Sequence, residues 1–402
     1  MARIASAEIL QKEILQPFCL RAIFALGCEA EMSLVPHPEP KRREPDPRFA
    51  QAYSVLRRAI SDRAFPGCAF GMIVNGKVLI EDAIGHFTYD PDSPEVKPTT
   101  LYDVASLTKV VSTTAAAMLL YQRGVLDLDT PVGEILPGFI IGRDPSQHGR
   151  NVTIRHLLAH SSGLPGYVPL FHTATTPYAV LRGCLELPLQ ADPGTHAEYS
   201  DPGFILLGKA LETMLHEPLA VWVRREVFTS LAMTATTYCP PVTMRPDIPP
   251  TEDDELFRQR VIQGEVQDEH AYLLHGAAGH AGLFSNVPDL LRFARAILSP
   301  GTENLFATDT VDLFAQRQPP PESSRALGWD TPSVESSSGE FFGAGSIGHL
   351  GYSGCSLWID RTADLAIVLL TNRTWPDRES QLIKSVRPAF HNAVREALQQ
   401  SP

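Results

Sequence analysis

The sequence predicts an α/β (α+β) fold: an antiparallel sheet flanked by terminal helices, with an all-helical lobe inserted in the middle of the chain. Three observations lead to it. Strand texture gathers near the two ends, at Gly67–Ile84 and again at Ser356–Ile359 and Leu365–Thr371. The long stretch between reads as helices joined by Pro/Gly loops. An amphipathic helix stands outside each strand region, at about Phe49–Ser61 and Gln381–Leu398. A sheet built from distant parts of the chain leaves a cleft against the inserted lobe, and such clefts hold ligands.

At 402 residues and 44% hydrophobic the chain can bury a large core, as one big domain or two interleaved ones. We expect residues 1–47 to be a poorly ordered extension and 48–398 to be the folded domain. Within it the sheet lobe covers about 48–105 and 281–398, and the helical lobe about 106–280. The formal charge of −12 argues against nucleic acid or an anionic membrane as partner. No run approaches the roughly 20 apolar residues of a membrane span. The six cysteines (Cys19, Cys28, Cys68, Cys184, Cys239, Cys355) are scattered without C-x-x-C and read as free thiols. Oligomeric state is not legible.

In chain order, Leu15–Cys28 is apolar and ends in a faint lipoprotein-like box, but Lys12, Glu13 and Arg21 interrupt the region. A cytoplasmic protein is favoured, with export left open and Met32 available as an alternative start. Pro36–Pro45 is a charged, proline-rich linker. In the first helix Ala52, Leu56 and Ile60 recur at spacing four. Asn75-Gly76 then breaks two apolar runs, a strong hairpin signal. A polar loop, Thr88–Thr100, leads to Ser106, where an apolar helix is expected to run to Arg123 with Gly124 as its C-cap.

Further helices are expected at Leu126–Ile135, Val152–Ala159, Gly203–Met214 and Leu219–Phe228. Gly276–Ser285 is a glycine-rich turn, and Asn286 or Asp289 caps a helix through Leu298. Glu303–Phe314 is a short helix, and the last helix carries Pro388, which predicts a kink or a split.

Ser106 and Lys109 are three apart and share a face at a helix N-terminus. A hydroxyl beside an amine, at the positive end of a helix dipole, is a workable nucleophile for acyl transfer. Two further elements supply a proton shuttle and an opposite wall. Glu198-Tyr199-Ser200-Asp201 offers a phenol and a carboxylate two apart before a helix. Gly348-His349-Leu350-Gly351-Tyr352, just before the C-terminal hairpin, offers an imidazole and then a glycine that would let a ligand approach the strand.

Taken together, the chain resembles the serine β-lactamase and penicillin-binding protein superfamily, with its S-x-x-K, Y-x-N or S-x-N, and K-T-G or H-x-G pattern. His280-Ala281-Gly282 also fits H-x-G, but His349 is preferred because that copy leads into a strand. Leu126–Val132 and Thr153–Pro165 are similar to class C-like members. Gly264–Ala271 with Gly279–Ser285 is similar to a DD-carboxypeptidase-like subgroup, except that Gln267 and His270 depart from that subgroup's His-Asp-x-Asn.

The resemblance implies Ser106 as nucleophile, Lys109 as its activator, and Tyr199 as the group that takes and returns the proton. It further implies Asp201, His349 and Gly351 as substrate-binding, with the N–H groups of Ser106 and Tyr352 as oxyanion hole. Asp201 departs from the usual asparagine; its charge favours the ammonium form of Lys109, so proton abstraction is expected to lean on Tyr199.

His349 would attract a substrate carboxylate if protonated and suit an ester or amide if neutral. His156, His160 and His280 sit in loop and helix signatures without paired carboxylates, so no metal is expected, and the resemblance implies no cofactor. The expected partner is a small-molecule or peptide-like substrate: an ester, a D-Ala-type amide or a β-lactam. No G-x-S-x-G or class A deacylation glutamate is found, which disfavours an α/β-hydrolase and efficient penicillin destruction. The rival reading is a non-catalytic binding protein on the same scaffold; intact Ser106, Lys109 and Tyr199 speak against it.

Overall fold

The computed structural model describes residues 46–141, 143, 148–301 and 305–399. The expected extension, apart from its last two residues, and the expected helix start at Glu303 lie outside them. In chain order the elements are α1 (Ala50–Ser61), β1 (Gly67–Val74), β2 (Lys77–Gly85), β3 (Tyr102–Asp103) and a π-wound turn, Lys109–Thr114, that runs into α2 (Ala115–Gln122). Next come α3 (Val132–Ile135), α4 (Ile154–Leu158), α5 (Pro177–Glu186), α6 (Asp201–Leu215) and α7 (Leu219–Val223), which continues as a π turn, Arg224–Phe228. Then follow β4 (Thr237–Tyr238), β5 (Pro250–Asp254), β6 (Arg260–Gln263), α8 (Glu269–Leu273), β7 (Leu283–Ser285), α9 (Val287–Leu298) and α10 (Thr308–Ala315). The chain closes with β8 (Ile347–Leu350), β9 (Ser356–Asp360), β10 (Leu365–Thr371) and α11 (Ile383–Gln399).

The main sheet is antiparallel in the order β2-β1-β10-β9-β8, so the first hairpin and the last three strands meet through β1 and β10. Asn75 and Gly76 both have positive φ, 49° and 69°, as a two-residue hairpin turn of matching twist requires. Alternation sorts the side chains to two faces. On β10, Leu365, Ile367 and Leu369 pack with Phe49, Leu56 and Phe390 of the terminal helices, while Ala366, Val368 and Leu370 join the large core under the helical lobe. Phe70 is held edge-on between Tyr53 and Phe390, at 5.2 and 5.7 Å. On the other face α9 lies close because Gly71 has no side chain; a Cβ there would meet Val287 Cγ1 at 2.6 Å.

Several expectations are corrected by tertiary context. Leu126–Thr130 is a turn, and helix begins only at Val132, because Pro131 pairs with Thr153 in a β-bridge. The segment Pro177–Glu186, not assigned from the sequence, is a helix capped by the Thr176 side chain. The inserted region also holds short strands: β5 pairs with β6, and β4 pairs with β7 beside β3. The last helix runs through Pro388 without a split.

Candidate active site

Where β3 ends, the chain makes a tight turn in which Ala105 takes φ 47°, a left-handed conformation uncommon for a residue with a Cβ. Ser106 follows and lies just before the helical winding rather than inside its first turn, as the sequence had suggested. The turn is clamped from several sides. Asp103 Oδ1 accepts from the Ala105 N–H at 2.8 Å and Oδ2 from the Gln267 N–H at 2.8 Å. Ser353 Oγ donates to the Asp103 carbonyl at 2.7 Å, and Thr108 Oγ1 donates to the Ala105 carbonyl at 2.6 Å. Burial pushes the Asp103 carboxyl up to about 6, with the two N–H bonds opposing. These contacts hold a strained turn in place, as a preorganised nucleophile requires.

Lys109 is fully buried. Its Nζ donates to Ser106 Oγ at 3.0 Å, to Asp201 Oδ1 at 2.7 Å and to the His280 carbonyl at 3.0 Å. Burial alone would lower its pKa, but the Asp201 charge, the Tyr199 phenol and their hydrogen bonds raise it above the ordinary lysine value. The resting group is thus an ammonium with all three protons committed.

Tyr199 sits on the opposite side. Its ring stacks on His160 at 4.7 Å and has Lys109 Nζ 4.8 Å and the Arg325 guanidinium 5.2 Å from its centroid. Burial raises the phenol's pKa; the positive charge of Lys109 and hydrogen bonding with Lys109 and Ser106 work against that. The loop bearing it is pinned to the Thr153–Pro165 stretch. The Ser200 N–H donates to His160 Nδ1 at 2.9 Å, Ser200 Oγ donates to the Pro165 carbonyl at 2.7 Å, and the Asp201 N–H donates to the Gly166 carbonyl at 3.0 Å. Ser200 caps α6 by accepting from the Gly203 N–H at 3.1 Å, which leaves Asp201 in the first turn and free to reach Lys109.

His349 lies just before the β9–β10 hairpin, on the edge strand β8, where it is paired with Leu357. Its Nδ1 donates to the Leu350 carbonyl at 2.8 Å, Nε2 has no partner among the described residues, and its ring lies 5.9 Å from that of Tyr199. Burial holds its pKa well below the ordinary histidine value, with Lys109 and Arg325 adding to the effect. This favours a neutral imidazole that presents Nε2 as an acceptor.

A Cβ at Gly351 would lie 2.4 Å from the Val104 carbonyl oxygen, so the glycine lets the strand end close on the turn before Ser106. Its N–H donates to the Cys355 carbonyl at 2.7 Å. Tyr352 is half exposed, its ring under Arg373 at 4.4 Å. Among the described residues the N–H groups of Ser106 and Tyr352 donate to no protein acceptor, as a pair of oxyanion donors must.

Of the seven residues named from the sequence, Ser106, Lys109, Asp201, Tyr199 and His349 lie together, Gly351 packs on the Val104 carbonyl beside them, and Tyr352 lies under Arg373. Sequence reasoning missed Arg325, which comes from a polar loop with no local pattern, and the His280 carbonyl, a backbone group that no motif announces. Of the histidines set aside for metal binding, His156 bonds Thr153 and His160 supports Tyr199, whereas His280 Nε2 meets Asp268 Oδ1 at 2.8 Å with His270 beside them.

Comparison with known proteins places this cleft in context. The Beta-lactamase family matches residues 51–386. An N-acetylmuramyl-L-alanine amidase of Bacillus subtilis (strain 168) is 31% identical over 353 residues, 77% of each chain. A protein of Escherichia coli (strain K12) bearing a D-alanyl-D-alanine carboxypeptidase name is 32% identical over 301 residues, 68% of this chain and 69% of that one. Among solved structures, EstCE1, a hydrolase with promiscuous acyltransferase activity, shares the fold with a TM-score of 0.69 at 21% identity, over 86% of this chain and 98% of its own.

Proposed function

We propose that this chain, which belongs to the Beta-lactamase family and is a serine hydrolase, cleaves a peptide-like amide of the cell-wall type through an acyl-enzyme on Ser106. The observation that carries the reading is the buried Lys109 Nζ, 3.0 Å from Ser106 Oγ and 2.7 Å from Asp201.

Tyr199 acts as base in its phenolate form, which the ammonium of Lys109 stabilises: it takes the Ser106 proton as Oγ attacks the carbonyl carbon and so becomes a neutral phenol, while the N–H groups of Ser106 and Tyr352 receive the oxyanion. The leaving amine departs with the proton from Tyr199, and a water then releases the acid by the same relay in reverse. An ammonium with three committed protons is a poor base, which is why the relay runs through Tyr199. Neutral His349 offers an acceptor to an N–H or O–H of the substrate.

The amide class is supported by the names of two relatives above 30% identity, one an amidase and one a carboxypeptidase. The test is turnover of a muramyl-type or D-Ala-terminated peptide, against a short-chain ester and a penicillin, by wild type and Ser106→Ala. Serine-dependent amide turnover supports the reading, and turnover of the ester alone overturns the substrate class.

A further inference from the structure

We propose that Asp268, His270 and His280 form a binding site for one divalent cation of the Zn²⁺ class, at the edge of the catalytic cleft. The three come from two segments: Asp268 caps α8, His270 lies within it, and His280 belongs to the turn before β7. One ligand atom from each falls within 4.8 Å of the others. Two imidazoles and a carboxylate, with positions left for water or substrate, are a donor set that suits zinc and related ions.

The independent observation is His270. It is 2% exposed, yet among the described residues neither ring nitrogen has a hydrogen-bond partner. His280 is 1% exposed and its Nδ1 is likewise without a partner. A buried polar atom left unpaired costs about 1–3 kcal/mol, so two such rings facing one carboxylate call for something between them. Asp268 has capacity to spare: Oδ1 accepts from the Ala271 N–H and meets His280, while Oδ2 takes no hydrogen bond among the described residues. The neighbouring Glu269 is not a candidate, because its carboxylate bonds Arg378 at 3.0 Å.

The site adjoins Lys109 and the half-exposed Tyr167. Tyr167, half exposed, lies 5.7 Å from the His270 ring, and the carbonyl of His280 receives the Lys109 ammonium. A cation held here would offer its free coordination positions to an oxygen donor of a substrate lying past Tyr167. Binding of the ion does not depend on acyl transfer at Ser106.

The test uses the full chain, stripped with a chelator and titrated with Co²⁺ while its visible absorption is followed, then challenged with Zn²⁺. One equivalent should bind, with the absorption of an imidazole-bearing site and displacement by Zn²⁺. His270→Asn should weaken binding by about 100-fold, whereas Ser106→Ala should bind as wild type. Thermal unfolding of the chelated proteins controls for folding. Should His270→Asn fail to fold, X-ray absorption of the zinc-loaded wild type decides by counting imidazole ligands. No stoichiometric binding, unchanged affinity in His270→Asn, or a zinc shell with fewer than two imidazoles overturns the proposal.

Discussion

Lys109 Nζ and Asp201 Oδ1 are 2.7 Å apart, the lysine side chain wholly buried and the aspartate 18% exposed. The pair joins the turn after β3 to the first turn of α6, 92 positions later in the chain. Removing the carboxylate strands a buried ammonium. Asp201→Ala is therefore expected to lower stability by about 3 kcal/mol, the lower end for breaking a buried pair because Asp201 keeps some solvent. Asp201→Asn, which can still accept from Lys109, should lose less than half of that. Urea unfolding of both variants checks the ordering; equal losses would mean that packing, not charge, matters at this position.

The proton relay is tested by two variants compared under single-turnover conditions. Tyr199→Phe should slow acylation of Ser106 by about 10²–10⁴-fold, the range for removing a positioned general base. Lys109→Ala should also slow it, while costing stability through the stranded Asp201 carboxylate. If Tyr199→Phe keeps most of the acylation rate and Lys109→Ala abolishes it, the relay through Tyr199 is wrong.

Gly351→Ala forces the added carbon against the Val104 carbonyl oxygen, where it would lie at 2.4 Å. The strand end or the nucleophile turn must shift, at a cost of about 1–3 kcal/mol. Because Val104 is two residues before Ser106, acylation should fall at least about tenfold, as a small misplacement of reacting groups does. A variant with lowered melting temperature and unchanged acylation rate would show that the turn is held by its other clamps alone.

Acid should destabilise the fold through buried histidines. His391 is fully buried with Nδ1 bonded to the Ser337 carbonyl, and burial pushes its pKa down to about 4. Between pH 6.5 and about 4 the unfolded chain binds a proton at this residue that the folded chain refuses. Stability therefore falls as pH falls through that window, by up to about 3 kcal/mol from His391, and is full above it. In His391→Gln the slope of stability against pH should decrease by one proton's worth. Parallel wild-type and variant curves would contradict this.

The hairpin at Asn75-Gly76, the two terminal helices and the last strand pair were legible because each is written in local pattern: turn chemistry, period 3.6 and apolar runs. The candidate site residues were legible for a different reason, since Ser106, Lys109, Tyr199 and His349 carry side-chain chemistry in an ordered set of motifs. What escaped depends on the partner rather than on the segment. Leu126–Thr130 looks helical but is held as a turn beside the Pro131–Thr153 bridge. Strand β5 reads as a polar stretch, Pro-Thr-Glu-Asp-Asp, and is a strand only because β6 pairs with it. The turn at Ala105 needs a left-handed residue that no glycine announces. The juxtaposition of Asp268 and His280 is made by the fold across a glycine-rich turn.

The central claim is that Ser106 forms a covalent acyl intermediate. The measurement that meets it most directly is quenched intact-mass spectrometry of wild type and Ser106→Ala, after brief mixing with an activated ester and, separately, a penicillin. The account predicts a mass increase equal to the acyl group in the wild type, located on Ser106 by peptide mapping and missing from Ser106→Ala. A folded wild type that gains no mass with either reagent, or a Ser106→Ala variant that gains the same mass, would contradict it.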